Sequence, residues 1–154
     1  MTTPAVQLTG VYRLTLPVRD VARSAWWYRT RLGFETVMEV VEDGTATSAR
    51  LRHPAGDPEL TLRLDPARAR LADGFDSFVI AAPSKDMLDT LAQHLTDLGE
   101  PHGGVHLTAH GWVLPLLHDT DGRELRVTAT CGEQLTASVG NQQTGDVYLT
   151  LSGH

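Results

Sequence analysis

The chain has 154 residues, of which 41% are hydrophobic, and it carries 19 acidic against 13 basic side chains for a formal charge of -6. That length fits one globular domain, or two half-domains sharing a core, and excludes a multidomain architecture. With no basic run a nucleic-acid partner is not expected. No stretch approaches the roughly 18 apolar residues of a membrane span, and the start MTTPAVQLTG lacks the basic and apolar regions of a leader, so the expectation is a cytoplasmic protein without a membrane partner. One cysteine, Cys131, rules out an internal disulfide and a Cys-based metal site.

In chain order, Val11 to Val18 alternates Leu14, Leu16 and Val18 against Arg13, Thr15 and Pro17, the period-2 pattern of a strand with one apolar face. Asp20 can cap a helix whose Val21, Ala25, Tyr28 and Leu32 share one side, and Gly33 supplies a left-handed stop. Strand resumes over Phe34–Val41, and a turn at Asp43-Gly44 leads to a strand over Thr45–Leu51. A loop over His53–Pro58 then precedes a strand over Glu59–Leu64. Residues 65–74 form a connector of partly helical composition. The order then repeats: a strand over Phe75–Ala82, a helix capped by Ser84 and stopped at Gly99, and strands over Gly104–His110, Trp112–His118 and Arg123–Thr130, the last two joined by a turn at Asp119–Gly122. Past 130, Asp146–Leu151 alternates like a ninth strand.

HPAGDPELTL (His53–Leu62) lies over HDTDGRELRV (His118–Val127) at an offset of 65, and Gly33 and Gly99 differ by 66. Two copies of one βαβββ module are therefore expected, about 11–64 and 75–130, within a single domain over 1–154 that ends in an extension from 131. One four-stranded module cannot bury its own sheet face alone.

VRDVARSAWWYRTRLGFE, through Asp20, Ser24, Trp27, Tyr28, Leu32, Gly33 and Phe34, resembles the N-terminal signature of the vicinal oxygen chelate superfamily, which includes glyoxalase I, extradiol dioxygenases, and fosfomycin and bleomycin resistance proteins. HDTDGREL resembles the corresponding turn of the second module. The resemblance implies an α+β fold in which paired βαβββ modules curl a mixed sheet into a cup, with helices outside, a small-molecule site within, and a homodimer as the common assembly. It also implies that the positions presenting metal ligands in metal-dependent relatives are here Arg13, Thr61, Ser77 and Arg126. None is a histidine or glutamate. Guanidinium has no lone pair to give a metal ion, so neither metal nor other cofactor is expected, and the two arginines are read as receiving an anionic group of the ligand. The plain alternative makes each a rim cation paired with a carboxylate such as Glu59 or Glu124.

Trp112, beside Gly111, is a candidate to line the cup and stack on a planar ligand, with ordinary sheet packing as the alternative. Trp27 and Tyr28 read as core contacts, and Arg50, Arg52 and Arg63 as solvated edge residues without a role. Three functions fit these residues. The first is metal-independent sequestration of a small planar or anionic antibiotic, of the bleomycin-resistance type. In the second, a metal-independent isomerase or cyclase of natural-product metabolism uses Arg13 and Arg126 to polarise a substrate oxygen and His110 or Glu124 to move a proton. The third is a metal enzyme with displaced ligands drawn from His106, His110 and His118, which share strand parity.

Overall fold

The computed structural model describes residues 5–129. The chain divides between Arg70 and Leu71 into two compact units. The expected strand at Asp146–Leu151, and Cys131, lie outside the described residues.

The first unit contains β1 (Arg13–Val18), α1 (Val21–Leu32), β2 (Glu35–Glu42), β3 (Thr45–His53) and β4 (Gly56–Leu64), and α2 (Pro66–Leu71) follows across the division. Its four strands form one mixed sheet in the order β1-β4-β3-β2, parallel only between β1 and β4. The second unit repeats the plan with β5 (Asp76–Ala82), α3 (Lys85–Asp97), β6 (His106–Thr108), β7 (Gly111–His118) and β8 (Glu124–Ala129), in the order β5-β8-β7-β6 and parallel only between β5 and β8. The duplicated βαβββ reading thus holds at the level of topology. Among the described residues no helix is long and apolar enough to cross a membrane.

The helix ends follow from local chemistry. Asp20 accepts the Arg23 backbone N–H at 3.0 Å and Ser84 accepts that of Met87 at 3.2 Å, each satisfying a donor that the first helical turn leaves free. Gly33, at φ 78°, turns the chain out of α1 and returns its N–H to the Arg29 carbonyl. In the first unit Leu16, Val18, Ala49, Leu51, Leu60 and Leu62 are buried against Val21, Ala25, Trp27 and Tyr28 of α1. Trp27, Tyr28, Phe34 and His53 continue this core as successive edge-to-face contacts at 5.0, 5.9 and 5.0 Å. In the second unit Leu114, Leu117, Leu125 and Val127 bury the equivalent sheet face with Leu88 and Leu95 of α3.

Two boundaries differ from the sequence reading, and the connector's helical composition is realised. The loop expected over His53–Pro58 is a tight hairpin in which His53 pairs with Gly56, because the His53 ring accepts the Ala55 N–H at Nδ1 and meets the Leu32 carbonyl at Nε2, 2.9 Å away. The strand expected over Gly104–His110 shrinks to three residues. Gly103 is held by the Pro115 carbonyl, and Thr108 closes the turn by donating to the Gly111 carbonyl and accepting the His110 N–H. The connector forms the short helix α2, opened by Asp65, which accepts from both the backbone and the side chain of Arg68.

The turn at Asp119–Gly122 is anchored by a buried ion pair. Asp119 takes the Arg123 guanidinium at 2.6 Å and the backbone N–H groups of Asp121 and Arg123 on its other oxygen, with both side chains 1% exposed. Such a pair is tolerated inside because both oxygens of the carboxylate are engaged.

Candidate functional site

Each sheet has one face packed by its helix and one face that is not, and strand parity decides which side chains reach the second. In the first unit Arg13 pairs in register with Glu59, Thr15 with Thr61, Thr61 with Arg50, and Arg50 with Met38. Arg13, Arg50, Glu59 and Thr61 therefore converge on the face away from α1, as the alternation in β1 requires for Arg13.

Their contacts are unusual for a resting surface. Glu59 is only 9% exposed and lies between two guanidinium groups, with its Oε2 at 3.6 Å from Arg13 Nη2 and 3.4 Å from Arg50 Nε. Neither approach makes a hydrogen bond: Arg50 Nε, Glu59 Oε2 and the Thr61 hydroxyl are all buried without a hydrogen-bond partner. A buried polar atom left so costs on the order of 1–3 kcal/mol, and two of the three, Arg50 Nε and the Thr61 hydroxyl, are donors on neighbouring strands that an oxygen acceptor would complete. Two cations share one anion, leaving one positive charge in excess. Arg13 also rests over the Tyr12 ring at 5.2 Å. Met38 and Val40, both exposed, form an apolar shelf beside Arg50 and Ser48 on the same face. Arg52 is instead occupied by Glu35 at 3.9 Å in solvent, and Arg63, two residues beyond Thr61, is exposed.

In the second unit the same face carries Arg126 beside a carboxylate. Asp76 pairs in register with Glu124 and places its Oδ2 3.8 Å from Arg126 Nε, which is buried without a hydrogen-bond partner. Here one cation meets the carboxylate of Asp76, with Glu124 on the same strand face. Ser77 is exposed, in the irregular step between Asp76 and Val79 where β5 carries an extra residue, so Asp76 takes the register position that Arg13 holds in the first unit.

Trp112 corrects the sequence reading. Its partner in register is Ala129, on the buried side of β8, and Lys85, the first residue of α3, sits over its ring at 5.0 Å. The ring therefore belongs to the helix side of its sheet, a placement fixed by parity. His110 stands in the turn before β7 while Glu124 pairs with His118 at its far end, roughly 25 Å away along the strand, so the two candidate proton carriers are not brought together. His106 meets the Gly103 carbonyl, and His102 meets Thr96 and the Gly104 N–H. Among the described residues no three His, Cys, Asp or Glu side chains are placed to hold a metal ion. The donor chemistry at Arg13, Thr61, Ser77 and Arg126 does not fit one either, since guanidinium offers no lone pair and a lone hydroxyl is a weak ligand. Arg50, read from the sequence as a solvated edge residue without a role, lies instead on an inner strand of its sheet with Nε 3.4 Å from Glu59. Only the strand order β1-β4-β3 brings it beside Glu59 and Thr61.

The family model of the Glyoxalase/Bleomycin resistance protein/Dioxygenase superfamily matches residues 10–127. Among solved structures, the chain is similar to a glyoxylase/bleomycin resistance protein/dioxygenase domain from Frankia sp. EAN1pec, at 25% identity and a TM-score of 0.68 over 81% of this chain and 100% of that one. It shares its fold with an antibiotic binding protein from Streptomyces sp. CB03234 (15% identity, TM-score 0.67, 82% and 100% covered). The fold is shared likewise with a fosfomycin resistance protein from Listeria monocytogenes (13% identity, TM-score 0.65, 83% and 98% covered). No protein of curated function matches the sequence.

Proposed function

The chain belongs to the Glyoxalase/Bleomycin resistance protein/Dioxygenase superfamily, and from that premise we propose that it binds a small, planar, anionic organic molecule without a metal ion and sequesters it, as an antibiotic-binding protein does. The observation that carries this reading is the pair of buried, unpartnered donors on Arg50 and Thr61 beside the Arg13 guanidinium. An oxyanion placed there accepts from Arg13, Arg50 and the Thr61 hydroxyl, contacts that are charge-assisted and worth about 1.5–3 kcal/mol each. The ligand's ring lies on Met38 and Val40. The Streptomyces antibiotic binding protein lends the fold-level analogy and nothing finer. The protein works in the cytoplasm as a homodimer; exposed Val37 and Val41 on the edge strand β2 favour self-association.

In the mechanism, binding is the whole act. Arg13 and Arg50 are already held on their strands near Glu59, so little side-chain freedom is lost when the anion enters. The carboxylate of the patch, Glu59, is committed to the two arginines. The test is calorimetric titration of EDTA-treated protein with 2-naphthyl sulfate, followed by mass analysis of the recovered probe. Binding at micromolar to low millimolar concentration with the probe returned intact is expected; binding that returns only on adding a divalent ion, or a converted probe, would overturn the reading.

A further inference from the structure

Resting on that proposed anion site, we infer that Glu59 sets the charge of the ligand: the patch takes a group bearing one negative charge and discriminates against a group bearing two. Glu59 is a fixed carboxylate, 9% exposed, lying within 3.6 Å of both Arg13 and Arg50. It already satisfies half of their positive charge. A sulfonate, carboxylate or phenolate balances the remaining unit. A dianionic phosphate group would leave one negative charge uncompensated beside a carboxylate in a half-buried setting, and its desolvation is the more costly because the penalty grows steeply with charge.

The other charged groups near this face do not alter the balance. Arg52 is taken by Glu35, while Arg63 is solvent-exposed and screened. The backbone under Glu59 is fixed, its N–H held by the Tyr12 carbonyl at 2.8 Å and β4 paired on both sides by β1 and β3. Glu59 is thus a specificity-determining residue that acts through its charge.

Two probes of the same shape isolate charge, namely 2-naphthyl sulfate, a monoanion, and 2-naphthyl phosphate, a dianion at pH 8 because its second ionisation lies near about 6. Both are titrated calorimetrically at fixed ionic strength into the wild type, Glu59→Gln and Glu59→Asp. The wild type should prefer the sulfate on the order of tenfold. Glu59→Gln should abolish or reverse that preference by tightening the phosphate, and Glu59→Asp should keep it. The ratio within one protein is unaffected by a uniform loss of folded material, and the wild-type ratio tests the inference without any variant. Equal binding of the two probes by the wild type, or an unchanged ratio in Glu59→Gln, overturns the charge-selection inference while leaving the anion site standing. Failure of the wild type to bind either probe overturns both.

Discussion

The uncovered faces of the two sheets are built on one plan and carry opposite charge. In the first unit Arg13 and Arg50 share Glu59; in the second, Arg126 lies with Asp76 and Glu124. The glutamate is common to both, at an offset of 65. What differs is where guanidinium is placed: on the first and third strands in one module, and on the last strand in the other, where Asp76 occupies the register position of Arg13. A duplicated scaffold fixes where side chains point, through parity and pairing, and leaves their charge free to diverge.

The turns contrast as well, and there the largest effect is expected. The second module's turn is fixed by the buried Asp119–Arg123 pair, whereas the first module's hairpin relies on His53. Arg123→Ala strands the Asp119 carboxylate in the interior and should cost about 3–5 kcal/mol in a denaturant melt. His53→Ala, which loses a bond to the Leu32 carbonyl, one from Ala55 and the edge contact with Phe34, should cost about 1–3 kcal/mol. A loss from His53→Ala as large as that from Arg123→Ala would erase this contrast.

Thr61→Val sharpens the distinction between stability and binding. It removes a buried hydroxyl that has no partner, so the melt should be unchanged or higher by about 1 kcal/mol, while affinity for 2-naphthyl sulfate falls. A destabilised Thr61→Val with unaltered binding would mean that the hydroxyl serves the fold. The smallest effect is at Asp65, whose carboxyl is held below its ordinary 3.8 by the Arg68 backbone N–H first and the Arg68 side-chain hydrogen bond second. A depressed folded-state value contributes stability above the unfolded value, and that contribution is lost as pH falls through the folded one. Because the group is exposed, Asp65→Asn should produce only a slight loss at neutral pH that disappears as the pH falls through the lowered folded-state value.

Much of the fold was legible because its signals are local: Asp20 and Ser84 as caps, Gly33 as a stop, alternation in β1, and the repeat HPAGDPEL over HDTDGREL. The errors fall where tertiary contacts decide. The extent of the first hairpin depends on His53 reaching the end of α1, and β6 is short because Pro115 captures Gly103. The site was legible in part. Parity correctly aimed Arg13 away from the helix, and Glu59 was named as a partner for an arginine. Arg50 could not be placed without the strand order, nor Asp76 without the extra residue in β5. Trp112 was misplaced because its parity is counted from a register that the sequence does not state.

The central claim is that the first module's face receives an anion without a metal, and the contrast between the two arginine settings tests it most directly. Calorimetric titration of 2-naphthyl sulfate into EDTA-treated wild type, Arg50→Ala and Arg126→Ala should show binding in the wild type, a loss of about 10- to 100-fold in Arg50→Ala, and a change of no more than about threefold in Arg126→Ala, where Asp76 already faces the cation. Equal affinity in the wild type and Arg50→Ala, or binding abolished by EDTA, would contradict it.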